Sequence, residues 1–151
     1  MLQETYQIDG RGLPVRTVEN DDLKTRVYLS SDTIRRGQVQ TFSLDMTIKA
    51  GRHIYGPRVG GGYIPISLAF DAVDEVQFGP VVFPDPILTT VLGQEVPIYT
   101  KNIRLTAPIR NMGRVNFSVR ARLNYQACDK VACYLPQELT FEFPITTLQN
   151  V

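Results

Sequence analysis

Apolar and polar residues alternate along most of the chain from residue 24 onward. In TFSLDMTIK, the apolar side chains of Phe42, Leu44, Met46 and Ile48 fall on one face, and the polar side chains fall on the other. A period of two is typical of a half-buried β-strand. The segment TRVYLSS predicts another strand, and the alternation recurs in four further runs: Ile64 to Phe70, Ile103 to Ile109, Val115 to Tyr125 and Leu139 to Ile145.

Segments rich in turn-forming residues separate these runs: RRGQ, GPRVGGG, FPDP, NMG and LPQ. No segment combines helical spacing with helix caps. Several strands of about 10 residues, joined by turns that contain Gly or Pro, predict an all-β fold, namely an immunoglobulin-like antiparallel β-sandwich.

The first residues alternate poorly and contain turn formers. We therefore expect residues 1–22 to form a leading segment or linker, and residues 23–151 to form the immunoglobulin-like domain. A total of 151 residues matches a single domain. The stretch MLQETYQIDGRG lacks the basic start and apolar centre of a secretory signal, so we expect any export signal to lie outside this sequence.

The charges of the chain nearly cancel. Lys and Arg total 16 against 15 for Asp and Glu, which gives a net charge of +1. This balance offers no electrostatic footprint for nucleic acid or for an anionic membrane surface. The glycine cluster in GPRVGGGY follows no β-α pattern, so it predicts a flexible connection and not a phosphate-binding loop.

The chain has two cysteines, Cys128 and Cys133, in the segment YQACDKVACYLP between two predicted strands. Closing a loop of six residues stabilises a fold by about 2 kcal/mol, roughly half the value for a loop of 100 residues. A redox pair needs two sulfurs that are close in sequence and near the surface, as at the tip of a hairpin. From the residues alone, a local structural disulfide and a redox couple are equally good interpretations.

Other candidate residues have ordinary structural explanations. Two cysteines and the single histidine, His53, fall short of the four ligands of a closed zinc site, so no metal is expected. Met46 alternates with core residues, which indicates packing more than copper binding. His53, Tyr55 and Tyr134 are explained as well by surface hydrogen bonding or amphipathic packing as by a role near the cysteines.

The segment YQACDKVACYLPQ resembles the redox segment of the family of N-terminal domains of the thiol:disulfide interchange protein DsbD. The segments MTIKAGRHIYGP and EVPIYTKNIRLTAPI are similar to two further parts of that family. Together the three cover most of residues 38–147 in the family's order. This resemblance implies an immunoglobulin-like domain in the bacterial periplasm, or otherwise outside the cytoplasm, that works without a cofactor.

The resemblance also implies roles for particular residues. Cys128 and Cys133 match the catalytic redox pair, with Cys133 as the sulfur that meets a partner. Tyr55 and His53 match aromatic positions near the active site, and Tyr134 follows the second cysteine. A cap loop over the disulfide is expected at Leu92, Gly93, Gln94 and Glu95. The family's cap presents an aromatic ring where this chain offers Leu92 or Val91, and the cysteine spacing is one residue shorter.

The function implied by this resemblance is thiol:disulfide interchange of the protein-disulfide reductase type, with electrons passing through Cys128 and Cys133. Expected partners are a thioredoxin-like protein or domain and periplasmic disulfide proteins, within a longer membrane-linked or multidomain chain. The alternative is an accessory β-sandwich interaction module whose disulfide is purely structural. A third hypothesis, a sandwich that binds a small apolar ligand, is not supported by any cluster of polar residues in the sequence.

Overall fold

The computed structural model describes residues 3–8, 14–91 and 93–149. Within these ranges the chain forms fourteen strands and no helix, and thus no helix that could cross a membrane. The strands are β1 (Gln3–Ile8), β2 (Pro14–Glu19), β3 (Leu23–Leu29), β4 (Thr33–Arg35), β5 (Val39–Ile48), β6 (His53–Tyr55), β7 (Ser67–Phe70), β8 (Val76–Phe78), β9 (Ile87–Val91), β10 (Gln94–Tyr99), β11 (Asn102–Asn111), β12 (Phe117–Tyr125), β13 (Ala127–Cys128) and β14 (Gln137–Leu148).

Two sheets form the sandwich. The larger has the strand order β1-β2-β3-β5-β11-β8, and the smaller has the order β4-β14-β12-β7. Neighbouring strands in both sheets are antiparallel, apart from the parallel pair β4 and β14. The prediction of an all-β, immunoglobulin-like sandwich is confirmed.

The core lies between the apolar faces of the two sheets. The ring of Phe42 in β5 lies 5.0 Å from that of Phe70 in β7 and 6.3 Å from that of Phe143 in β14. The alternating apolar residues of β5 are buried, as expected for a strand with one face on the core. Burial of each such side chain contributes about 1.5–3 kcal/mol, so this interface holds the two sheets together.

The leading segment is attached to the sandwich. β2 pairs with β3, and its residues Val15 and Val18 are only 2% and 3% exposed. The side-chain oxygen of Asn20 accepts hydrogen bonds from the backbone N–H groups of Asp22 and Leu23, which turns the chain from β2 into β3. β2 is therefore part of the sheet and not a free linker, whereas a division of the chain at residue 22 stays a prediction.

The predicted strand from Val115 to Tyr125 is shorter in the structure. β12 begins at Phe117, and the side chain of Val115 is 73% exposed outside it. Alternation alone did not show where the strand begins.

A third sheet, with the order β13-β6-β10-β9, carries the cysteine segment. β6 pairs with β13 on one side and with β10 on the other. β9 and β10 form a hairpin whose turn contains Gly93 at φ 79°, a left-handed conformation that glycine adopts without strain. This small sheet brings the cysteines beside His53 and Tyr55.

Candidate active site

Cys128 and Cys133 form a disulfide, with an S–S distance of 2.04 Å and a Cα–Cα distance of 4.0 Å. They face each other as an antiparallel pair within the connection from β12 to β14. On either side of the pair, the N–H groups of Asp129 and Tyr134 donate to carbonyl groups across the turn, over 2.9 and 2.8 Å. Side chains approach most closely in an antiparallel pair of this non-hydrogen-bonded kind, so the backbone itself brings the two sulfurs together.

The two sulfur positions differ in access. Cys128 is 1% exposed and packs with Tyr55, Val96 and Ile98, whereas Cys133 is exposed. Exchange requires a thiolate to reach one sulfur of the disulfide and the other sulfur to depart. Only Cys133 offers an open approach, so the pair has an outer sulfur and an inner one.

Aromatic rings line one side of the disulfide. The hydroxyl of Tyr55 lies 3.8 Å from the Sγ of Cys133, and the ring of Tyr63 lies 4.6 Å from that of Tyr55. Burial raises the pKa of Tyr55 above its ordinary value, and the neighbouring Tyr63 adds to this shift. The Tyr55 hydroxyl therefore stays protonated at neutral pH and can donate a hydrogen bond to sulfur.

His53 lies across from Cys128 where β6 pairs with β13, and its ring meets that of Tyr55 edge-on at 5.4 Å. Burial lowers the pKa of its imidazole below the ordinary value, and the charge of Asp129 partly opposes this shift. A neutral imidazole is thus favoured near the inner sulfur at neutral pH.

Asp129 organises the turn between the cysteines. Its Oδ1 accepts hydrogen bonds from the N–H groups of Val131 and Ala132, over 2.7 and 2.8 Å, and its Oδ2 accepts one from the hydroxyl of Tyr134. The bond from Tyr134, followed by the two backbone bonds, lowers the pKa of Asp129 to about 2. The same bond raises the pKa of Tyr134. Asp129 is therefore a carboxylate, and Tyr134 a donor, at neutral pH.

A surface pocket of about 470 Å³ opens beside the disulfide. The cysteine turn forms one wall, His53 and Tyr55 of β6 with Tyr63 form another, and Thr89, Thr90 and Val91 of β9 complete it. Tyr63, which follows the glycine-rich segment, therefore lies at the cysteine end of the molecule.

The expected cap residues directly follow Val91, a residue of this pocket, in the chain. Gly93, Gln94 and Glu95 form the hairpin turn and the start of β10 and are exposed, while Leu92 lies outside the described residues. Among the described residues that line the pocket, this hairpin contributes Thr89, Thr90, Val91 and Ile98, and not Gly93, Gln94 or Glu95. Their role as a cap stays a prediction.

Two residues of this site were not identified from the sequence. Asp129 follows Cys128 directly in the short connection between two strands, and an Asp side chain commonly closes a turn by accepting from N–H groups two or three residues on, which could have identified it. Tyr63 gave no such signal. It follows Gly61 and Gly62, whose positive φ values of 69° and 86° turn the chain back toward β6.

In the ranges that the structure describes, no group of three or more His, Cys, Asp or Glu residues is arranged to hold a metal ion.

Comparison with known proteins gives one family match. A model of the N-terminal domain of the thiol:disulfide interchange protein DsbD matches residues 23–145. A search of curated proteins gave no match.

Several solved structures are similar to this chain. The N-terminal periplasmic domain of ScsB from Proteus mirabilis has a TM-score of 0.61 at 14% sequence identity over 91% of this chain, which spans about half, 49%, of that domain. The reduced DsbD N-terminal domain of Neisseria meningitidis has a TM-score of 0.50 at 18% identity, over 70% of this chain and 77% of that one. A complex of the DsbD and PilB N-terminal domains from Neisseria meningitidis gives a TM-score of 0.48 at 17% identity, over 69% and 73%.

Proposed function

Since the chain belongs to the family of DsbD N-terminal domains, we propose that Cys128 and Cys133 pass electrons between partner proteins by thiol:disulfide exchange. The family and the disulfide support thiol:disulfide interchange in general. The single observation that carries the finer proposal is the unequal exposure of the two sulfurs, with Cys133 exposed and Cys128 1% exposed. This arrangement gives an incoming thiolate one defined point of attack.

The proposed exchange proceeds in two balanced steps. A thiolate of a reduced partner attacks the Sγ of Cys133, the S–S bond breaks, and Cys128 leaves as a thiolate that takes up a proton. The partner's second thiolate then attacks the mixed disulfide and releases Cys133. The partner is oxidised to a disulfide by loss of two electrons, and Cys128 and Cys133 become two thiols.

The reverse sequence reduces a partner disulfide. Cys133, as a thiolate, attacks that disulfide, and Cys128 then resolves the mixed disulfide by attacking the Sγ of Cys133. The buried position of Cys128 protects it from competing reagents and keeps it within reach of its partner sulfur, which is what a resolving cysteine requires.

The surrounding side chains would assist both directions. Tyr55 offers a hydroxyl donor beside Cys133, where negative charge develops when this sulfur is the thiolate. His53, across the strand pair from Cys128, has an imidazole whose pKa is lowered by burial, so that a neutral ring lies beside the inner sulfur at neutral pH. The cap assigned to Leu92, Gly93, Gln94 and Glu95 would shield the outer sulfur between encounters.

The proposed partners are a thioredoxin-like protein or domain and periplasmic disulfide proteins. We place the domain in the periplasm or another compartment outside the cytoplasm, where disulfides persist. Because the chain spans about half of the ScsB domain that it resembles, membership of a longer, membrane-linked protein is part of this proposal.

The test uses reduced thioredoxin as the probe. The oxidised protein is mixed with it under native conditions, and free thiols are trapped with a maleimide and counted by gel shift over time. The proposal expects reduction of Cys128 and Cys133 within minutes. A disulfide that is reduced only after urea has unfolded the protein would overturn it and would favour an accessory module with a structural disulfide.

A further inference from the structure

We propose that Asp129 is a positioning residue that sets the equilibrium between the disulfide and dithiol forms of Cys128 and Cys133. Its carboxylate holds the turn in the shape that keeps the two sulfurs together after the S–S bond opens. This inference rests on the proposed function, because it concerns how easily the redox pair is reduced.

The carboxylate of Asp129 accepts three hydrogen bonds within the turn. It accepts from the backbone N–H groups of Val131 and Ala132 and from the hydroxyl of Tyr134. The N–H of the same residue donates to the carbonyl of Ala132. These bonds close the same short stretch of chain that the disulfide closes, and none of them uses a sulfur atom.

The S–S bond and the hydrogen bonds of Asp129 hold the turn closed in different redox states. In the disulfide form, the S–S bond fixes the turn whether or not Asp129 is present. In the dithiol form, non-covalent contacts alone keep the turn closed, and the hydrogen bonds of Asp129 help to offset its loss of conformational freedom. Removing the carboxylate therefore leaves the disulfide form almost unchanged and gives the dithiol form more freedom, which favours the dithiol.

Tyr134, which donates a hydrogen bond to Asp129, also contacts residues outside the turn. The ring of Tyr134 lies under the guanidinium of Arg52, whose carbon is 4.4 Å from the ring centre. Arg52 forms an ion pair with Asp22, which also accepts a hydrogen bond from the hydroxyl of Tyr125 over 3.4 Å. Through Tyr134, Asp129 is thus connected to the β2–β3 turn and to the end of β12.

The geometry and the charge of Asp129 can be separated by substitution. Asparagine keeps a side-chain oxygen that can accept from Val131 and Ala132, but it carries no charge. Alanine has neither the side-chain oxygen nor the charge. Tyr134→Phe keeps the ring beneath Arg52 and removes only the hydroxyl that reaches Asp129.

The experiment equilibrates each oxidised variant with glutathione, where two glutathione thiols become one glutathione disulfide as the protein disulfide becomes two thiols. We expect Asp129→Ala to shift the equilibrium constant toward the dithiol about tenfold, the equivalent of about 30 mV. Tyr134→Phe should shift it in the same direction by less, and Asp129→Asn should stay close to wild type. The control is Asp74→Ala, which removes a carboxylate in a pocket beside Val115 and Phe117, where β12 begins.

The equilibrium constant is a readout that a merely structural role of Asp129 would not move, because a loss of stability common to the disulfide and dithiol forms cancels in it. The comparison of Asp129→Asn with Asp129→Ala in the same measurement separates charge from positioning.

The outcomes are distinguishable. If the wild-type protein equilibrates with glutathione and Asp129→Ala agrees with it within twofold, the inference is wrong and the proposed function stands. An equally large shift in Asp129→Asn would also overturn it, since charge and not position would then set the equilibrium. A wild-type disulfide that is not reduced under native conditions would contradict both the inference and the proposed function. Should Asp129→Ala not fold, judged by near-ultraviolet circular dichroism, Tyr134→Phe decides, and an unshifted constant refutes the inference.

Discussion

The hydroxyl oxygen of Tyr55 lies 3.8 Å from the Sγ of Cys133, although 78 residues separate them in the chain. The contact exists because β6 pairs with β13, which places Tyr55 at the edge of the cysteine turn. Hydrogen bonds to a charged group are stronger than those to a neutral one, so this hydroxyl favours the thiolate form of Cys133 over the thiol.

Replacement of Tyr55 by phenylalanine should therefore reduce the thiolate population of Cys133. In a Cys128→Ala background, we expect the rate of alkylation by iodoacetamide at pH 7 to fall at least about threefold, since a hydrogen bond to a charged group contributes about 1.5–3 kcal/mol. Tyr28→Phe is the matched control, because the Tyr28 hydroxyl bonds Asp45 on another part of the fold. Equal rates in the two variants would contradict this role for Tyr55.

The two cysteines should behave differently when each is left alone. Cys128→Ala leaves the exposed Cys133, which should form a mixed disulfide with glutathione when it is treated with excess glutathione disulfide and one glutathione thiol is released, and Cys133→Ala leaves the buried Cys128, which should react about tenfold or more slowly. Each variant should lose only about 2 kcal/mol in free energy of unfolding, as a six-residue loop predicts. Mass spectrometry detects the mixed disulfide. Comparable trapping by both variants, or collapse of the near-ultraviolet dichroism in Cys128→Ala, would count against the account.

Acid should loosen the cysteine turn through Asp129. Hydrogen bonds hold the pKa of this carboxyl at about 2, below its unfolded value, so its contribution to stability is present above about pH 4 and is lost as the pH falls toward 2. Carbon-13 NMR of the Asp129 carboxyl should give a midpoint near 2 in wild type and a higher midpoint in Tyr134→Phe. The fall in unfolding free energy between pH 4 and pH 2 should be smaller in Asp129→Asn. An identical fall in both proteins would show that the carboxyl has no depressed pKa.

The turn between β9 and β10 should depend on glycine. Gly93 has φ 79°, and a side chain there would meet open space, so the cost of alanine is backbone strain alone. We expect Gly93→Ala to lower the free energy of unfolding in urea by about 1–2 kcal/mol. Gly60→Ala is the control, because Gly60 also faces open space but has no positive φ. A loss of the same size at Gly60 would mean that the turn conformation is not the reason.

Sequence alone predicted the long strands well, because their two faces have different surroundings over many residues. The shorter elements could not be predicted in this way. β6 has three residues and β13 has two, too few to show a period. β2 was missed because its buried residues Val15 and Val18 are three positions apart, which breaks the alternation of a regular strand.

The candidate site was predicted in part. The spacing of Cys128 and Cys133 indicated a local disulfide at a hairpin end, and the disulfide lies there. The sequence did not show which atoms approach the sulfurs. The contacts of Tyr55 with Cys133 and of Tyr63 with Tyr55 depend on the pairing of strands that are far apart in the chain.

The most direct test of the account is a redox titration followed by ¹H–¹⁵N NMR, which records thiol state and fold in one sample. The account predicts a reversible transition at a potential between roughly −300 and −120 mV, with shifts confined to the cysteine turn, β6 and the β9–β10 hairpin. Signals of core residues such as Phe42 and Phe143 should keep their positions. Loss of these core signals on reduction, or no reduction in native buffer, would contradict it.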